Sequence, residues 1–143
     1  MVYIGIDPGK KGGIAVITET VAYAVPFTRE NLINHINAHK ASVKCIVEKV
    51  GAMPGQGVVS MFTFGEGYGY IQGVLEANKI PYELVPPKKW KKEFSITKDK
   101  NLSIDVAKRL FPDVNLKATP RSKKDHDGMA EALLMAEYGK RHI

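Results

Sequence analysis

Three acids in this chain stand where acids are out of place. Asp7 ends the apolar run VYIGID (2–7), and Glu48 lies near the end of another, VKCIVEKV (43–50). Asp127 opens a helix-like stretch inside KKDHDGMAEALLMAEYGK (123–140), where Asp125, Asp127 and Glu131 crowd against Lys123 and Lys124. Each has an ordinary explanation. Asp7 before Pro8 opens a turn, Glu48 faces solvent on an edge strand, and Asp125 and Asp127 cap a helix at the positive end of its dipole. As a set on three separate elements they suit another chemistry. Converging carboxylates raise each other's pKa, and a cation relieves the repulsion. An all-oxygen donor set selects hard ions such as magnesium or manganese. Two such ions about 4 Å apart activate water on one side of a phosphate and stabilise the leaving oxygen on the other.

The elements that must position these acids can be traced by pattern. Short β-branched runs predict strands at 2–7, 14–18, 21–27, 43–50 and 81–86. Apolar spacing predicts helices at 28–40, with Thr28 as N-cap, at 58–79, and at 100–111, stopped before Pro112. A last helix is expected from about Asp127 to Tyr138, with Gly139 just past its end. The expected architecture is α/β, a mixed five-stranded sheet with helices on its faces. With the first and fourth strands parallel neighbours, two strand ends and one helix start converge at the carboxyl edge of the sheet, where such folds keep their sites. In the second helix Gly65, Gly69, Gly73 and Ala77 recur every four residues and make a smooth ridge. It reads as tight packing on the sheet or as a contact across a dimer axis.

The 143 residues suit one domain over 1–143, with 44% apolar residues and a mean hydropathy of −0.18. Twenty-one Lys and Arg face fifteen Asp and Glu, a net charge of +6, which points to a polyanionic partner. Cys45 is the single cysteine, which excludes an intrachain disulfide or a Cys-rich zinc site and reads as a small core residue. No apolar stretch approaches the roughly 20 residues of a membrane span, and no signal-peptide pattern opens the chain. A cytoplasmic protein without a membrane partner is expected.

GIDPGKKGGIAVI (5–17), CIVEKV (45–50) and DHDGMAEALLMAEYG (125–139) resemble the three acidic motifs of the RuvC family of Holliday junction resolvases, in its short phage-type branch. The resemblance spans nearly the whole chain. It implies a ribonuclease H-like fold, a homodimer, and magnesium-dependent cleavage of paired strands at a four-way DNA junction, in the host cytoplasm for a phage-encoded protein. Asp7 matches the family's first acid and Glu48 its second. The third motif of the family carries two acids a helical turn apart. Matching AEALLMA to it puts Glu131 on the last acid and leaves Gly128 where the other belongs, with Asp127 one residue early. Asp127 and Glu131 share a helix face, so the implied metal and catalytic set is Asp7, Glu48, Asp127 and Glu131, with Asp125 in reserve and His126 as a neighbour. Manganese is expected to substitute for magnesium, two ions per site.

VPPKKWKKEFSITKDKNLSIDVAKRLFP (85–112) resembles the lysine-bearing segment before the family's penultimate helix. There lysines contact DNA and one supports the chemistry, which implies such roles for Lys91 or Lys92 and for Lys100. With Lys88 and Lys89, next to Trp90 and Phe94, they read as a phosphate-tracking patch, continued by Lys10, Lys11, Arg121, Lys123 and Lys124. Phe62, Phe64, Tyr68 and Tyr70 are either core residues or wedges for an open junction. A structure-selective endonuclease that cleaves junctions, and other branched DNA, follows. One alternative is a junction-binding protein with weak or no catalysis. An actin-like ATPase or sugar kinase, suggested by GIDPGKKGG alone, needs a duplicated domain for which 143 residues leave no room.

Overall fold

The computed structural model describes residues 1–52, 55–97 and 101–143. Strands β1 (Val2–Asp7), β2 (Gly13–Ile17), β3 (Ala22–Pro26), β4 (Val43–Glu48) and β5 (Tyr82–Val85) form one sheet in the order β3-β2-β1-β4-β5. β1, β2 and β3 pair antiparallel, while β1–β4 and β4–β5 are parallel. The helices are α1 (Arg29–Ala38), α2 (Val58–Ala77), α3 (Pro87–Glu93), α4 (Asn101–Leu110) and α5 (Asp127–His142). The expected mixed five-stranded sheet with flanking helices is therefore present. Among the described residues no helix is long and apolar enough to cross a membrane.

Side-chain alternation along the strands divides the core into two layers. Ile4, Ile6, Ile14, Val16, Cys45 and Val47 pack against Leu32 and Ile36 of α1 and Ile71 and Leu75 of α2. On the other face Ala15, Ile17, Ile46 and Val85 pack against Trp90, Val106 and most of α5. Thr28 caps α1, its hydroxyl accepting from the Asn31 amide at 2.9 Å.

α5 lies directly on the backbone of β1 and β2, and its glycines explain why. A Cβ on Gly5 would be driven into the Ala132 carbonyl, and one on Gly128 into the Lys11 carbonyl, with Gly12 backbone atoms 2.6 and 2.8 Å away. Neither position has room for a side chain, so sheet and helix meet backbone to backbone.

Three expectations and one ordinary explanation are corrected. Residues 87–93, where no helix is expected from the apolar spacing, fold into α3: Pro87 supplies the fixed φ of a first helical turn, and Trp90 is wholly buried. Gly139 does not end the last helix, which runs on to His142, because Gly139 is where α5 passes over Ile46. The glycine ridge of α2 does not pack on the sheet, since a Cβ at Gly65, Gly69 or Gly73 would meet nothing within 4 Å. The ordinary explanation of Glu48 as an edge-strand residue also fails, because β4 lies between β1 and β5, parallel to β1 as expected.

Candidate active site

The sheet register brings the first two acids together. β1 and β4 run parallel with Ile6 opposite Val47, so Asp7 and Glu48 leave the sheet side by side at its carboxyl edge. The close seating of α5 on β1 brings Glu131, in the second turn of that helix, to the same place. Asp7 and Glu131 share a side-chain hydrogen bond. Two carboxyl groups make such a bond only when one carries a proton, and the Asp7–Glu131 pair holds it between them. Burial first, then the charges of Glu131 and Glu48, push the Asp7 carboxyl up to about 9 against the opposing pull of Lys91. Burial also raises Glu48, with Glu131 adding to it, while a hydrogen bond from Trp90 and the Lys91 charge hold it down.

Two aromatic residues fix Glu48. The buried Trp90 indole N–H donates to Glu48 Oε2 at 2.9 Å. The Tyr68 hydroxyl donates to the Glu48 carbonyl oxygen at 3.1 Å and accepts from the Val50 amide at 3.4 Å, which pins the end of β4. Sequence reasoning assigned neither role. The signal was present in PKKWKKE, where one Trp among four lysines is the residue a short helix would turn inward.

Asp7, Glu48 and Glu131 supply oxygen donors alone, the set that suits magnesium or manganese. Among the described residues no three His, Cys, Asp or Glu side chains already stand close enough to ligate one ion together. The carboxylates nonetheless act on one another through space. The proton shared by Asp7 and Glu131 relieves part of the repulsion between them. The donor set fits a divalent ion, and binding one requires displacing that proton.

The remaining predicted residues separate clearly. Asp127 is exposed at the first position of α5, a turn before Glu131, and the charges acting on Asp7 come from Glu131, Glu48 and Lys91. Asp125 is tied to Lys108 and Lys117, each at 3.0 Å, and these hydrogen-bonded ammonium groups hold its carboxyl below the usual range. His126 caps α5 through Nδ1, which accepts from the Met129 amide at 3.1 Å. Lys91 is half-buried and faces the acids. Lys10, Lys11, Lys88, Lys89, Lys92, Arg121, Lys123 and Lys124 are exposed, and Lys100 lies outside the described residues. Trp90 and Phe94 are buried, so they anchor the lysine-bearing helix rather than join its outer face.

A groove of about 610 Å³ opens between the β1–β2 turn and α2, walled by Phe27, Phe64 and Ile71, with Lys10 and Arg29 along it. Phe64 stacks on Tyr68 with centroids 6.1 Å apart, and the Arg29 guanidinium lies 4.2 Å over the Tyr70 ring. Tyr68 and Tyr70 pack against the core, whereas Phe62 is 69% exposed.

No family model matches the sequence, and no curated protein matches it significantly. Solved structures do. Thermus thermophilus RuvC in complex with a Holliday junction substrate superposes with a TM-score of 0.64 at 12% identity, over 99% of this chain and 97% of that one. A second Thermus thermophilus RuvC structure gives 0.60 at 17% identity, over 95% and 91%. The fold is thus the ribonuclease H-like fold of RuvC.

Proposed function

We propose that this chain is a divalent-metal-dependent endonuclease that cuts branched DNA, four-way junctions foremost. One observation carries the reading: Asp7, Glu48 and Glu131, from two parallel strand ends and a helix, press on one another at the carboxyl edge of the sheet in a chain of net charge +6. The junction-bound state of the RuvC that shares its fold supports the choice of substrate.

Asp7, Glu48 and Glu131 would hold magnesium or manganese, two ions per site, with Asp127 an outer candidate on the same helix face. Bound there, the ions supply water activation and charge neutralisation at a phosphodiester. The chain's own residues do the rest. Asp7 and Glu131 give up their shared proton to become donors. Trp90 keeps Glu48 in one rotamer, so the donor set is ordered before DNA arrives. Lys91, facing the acids, steadies charge that grows on the phosphate as its bond breaks. The exposed lysines of the β1–β2 turn, α3 and the segment before α5 grip the backbone, so shape rather than base sequence governs recognition.

Paired cuts in opposed strands call for two sites related by a two-fold axis, so the working form is proposed to be a homodimer. The exposed apolar start of α2, with Val58, Val59 and Phe62, supports it. The test is cleavage of a synthetic four-way junction with and without magnesium: paired nicks that need the metal are expected. A second reading, a junction-binding protein with weak or no catalysis, draws on Gly128, which stands where the resembling family has an acid and where backbone leaves no space for one. Tight binding without a nick at any magnesium or manganese concentration would select it.

A further inference from the structure

The geometry points to a second cation site, separate from the acids and of opposite chemical preference, formed by His35, His39 and Tyr23. The Tyr23 hydroxyl lies 3.0 Å from His35 Nδ1 and 3.1 Å from His39 Nε2. His35 is on α1, His39 caps that helix, and Tyr23 is on edge strand β3. The imidazole centroids lie 5.3 and 6.5 Å from that of the phenol, at interplanar angles of 53° and 40°. Two imidazole nitrogens, one within α1 and one at its cap, therefore meet the same phenol oxygen from the sheet edge. In a tetrahedral zinc site, bonds of about 2.0–2.1 Å set neighbouring donors roughly 3.3 Å apart. Two edges of this triangle already approach that spacing. All three side chains are half-exposed, which leaves an entry path and a fourth position open to water.

Two imidazoles select late first-row ions, zinc, nickel or copper(II), over magnesium. The site is also distant from the acids. Tyr23 pairs with Val16, which pairs with Ile4, whereas the Asp7 rung runs through Gly13 to Pro26. The separation is roughly 10 Å along the strands and about 9.6 Å across two strand spacings, so no ion touches both. His35 and His39 are the principal ligands, and Tyr23 is a third, weaker donor that releases its phenol proton to solvent. The bound ion ties α1 to the sheet edge.

Calorimetric titration of the protein with zinc, in millimolar magnesium, tests this. One zinc per chain is expected in a phase that His35→Gln or His39→Gln each weakens at least about tenfold, that Tyr23→Phe weakens less, and that Glu48→Gln leaves intact. Zinc should raise the melting temperature of the wild type and not of the double His variant. A readout that needs no variant is the visible spectrum of the cobalt(II)-loaded wild type, where intense four-coordinate bands are expected. A zinc phase that persists in the double variant, or cobalt bands of six-coordinate strength only, overturns the site and leaves a hydrogen-bonded staple between α1 and β3.

Discussion

α5 and α2 both carry glycines at helical spacing, and they use them in opposite ways. Gly128 of α5 is pressed against the Lys11–Gly12 backbone, and Gly5 of β1 receives the same helix in the same way. Gly65, Gly69 and Gly73 of α2 face open space, below exposed Val58, Val59 and Phe62. In the first case missing side chains let a helix lie against a strand and carry Glu131 to Asp7. In the second they leave a smooth surface that none of the described residues covers. Identical residue types thus build the candidate site at one place and leave a free face at the other.

The largest effect should come from the acids that α5 completes. Asp7→Asn removes the proposed central metal ligand, and cleavage is expected to fall at least about 10³-fold, the equivalent of several kcal/mol. Junction binding should survive or tighten as a negative charge is lost, which a gel-shift assay beside the nicking assay reads. Gly128→Ala should then destabilise the fold by about 3 kcal/mol, the upper end for overpacking, because the obstructing atoms are backbone. Chemical denaturation measures it, and an unchanged midpoint would break the contrast between the helices.

Trp90→Phe keeps the buried ring but loses the donor to Glu48, and cleavage should drop about 10–100-fold with the fold intact. Stability against pH gives a smaller effect. Asp7 holds its proton more tightly folded than unfolded. As pH rises from near 3.8 to about 9, the unfolded chain ionises first and the metal-free fold steadily loses stability. Asp7→Asn should flatten that slope in thermal melts recorded with a chelator. Smallest of all, Gly69→Ala should stabilise the monomer by about 0.5–1 kcal/mol, since alanine suits a helix and nothing obstructs its methyl. If the ridge instead lies against a partner copy, the same substitution should weaken the dimer in sedimentation, which would sharpen the comparison.

Much of the sheet was legible, because alternation in VYIGID and GIAVI and the apolar run CIV are direct consequences of the pleat. Asp7 and Glu48 were legible as strand-end acids for the same reason. The third acid was harder. Asp127 and Glu131 share a face by spacing, and only the depth at which α5 meets β1 puts Glu131 in range and leaves Asp127 exposed. That depth depends on glycines from two distant elements, which no local pattern joins. α3 escaped because seven residues with four lysines look like a solvated loop until Trp90 is seen to have a buried acceptor. The direction of the α2 ridge was illegible for a simpler reason: glycine carries no side chain to report whether its surroundings are crowded or empty.

The central claim is that Asp7, Glu48 and Glu131 close around divalent ions when the shared proton leaves. Anomalous diffraction from a crystal soaked in manganese near pH 8 addresses it directly. The predicted result is density within coordinating distance of all three carboxylates, with the Asp7–Glu131 hydrogen bond gone. Manganese bound to Asp127 or Asp125 with Glu131 turned away, or none near Asp7 at saturating concentration, would contradict it.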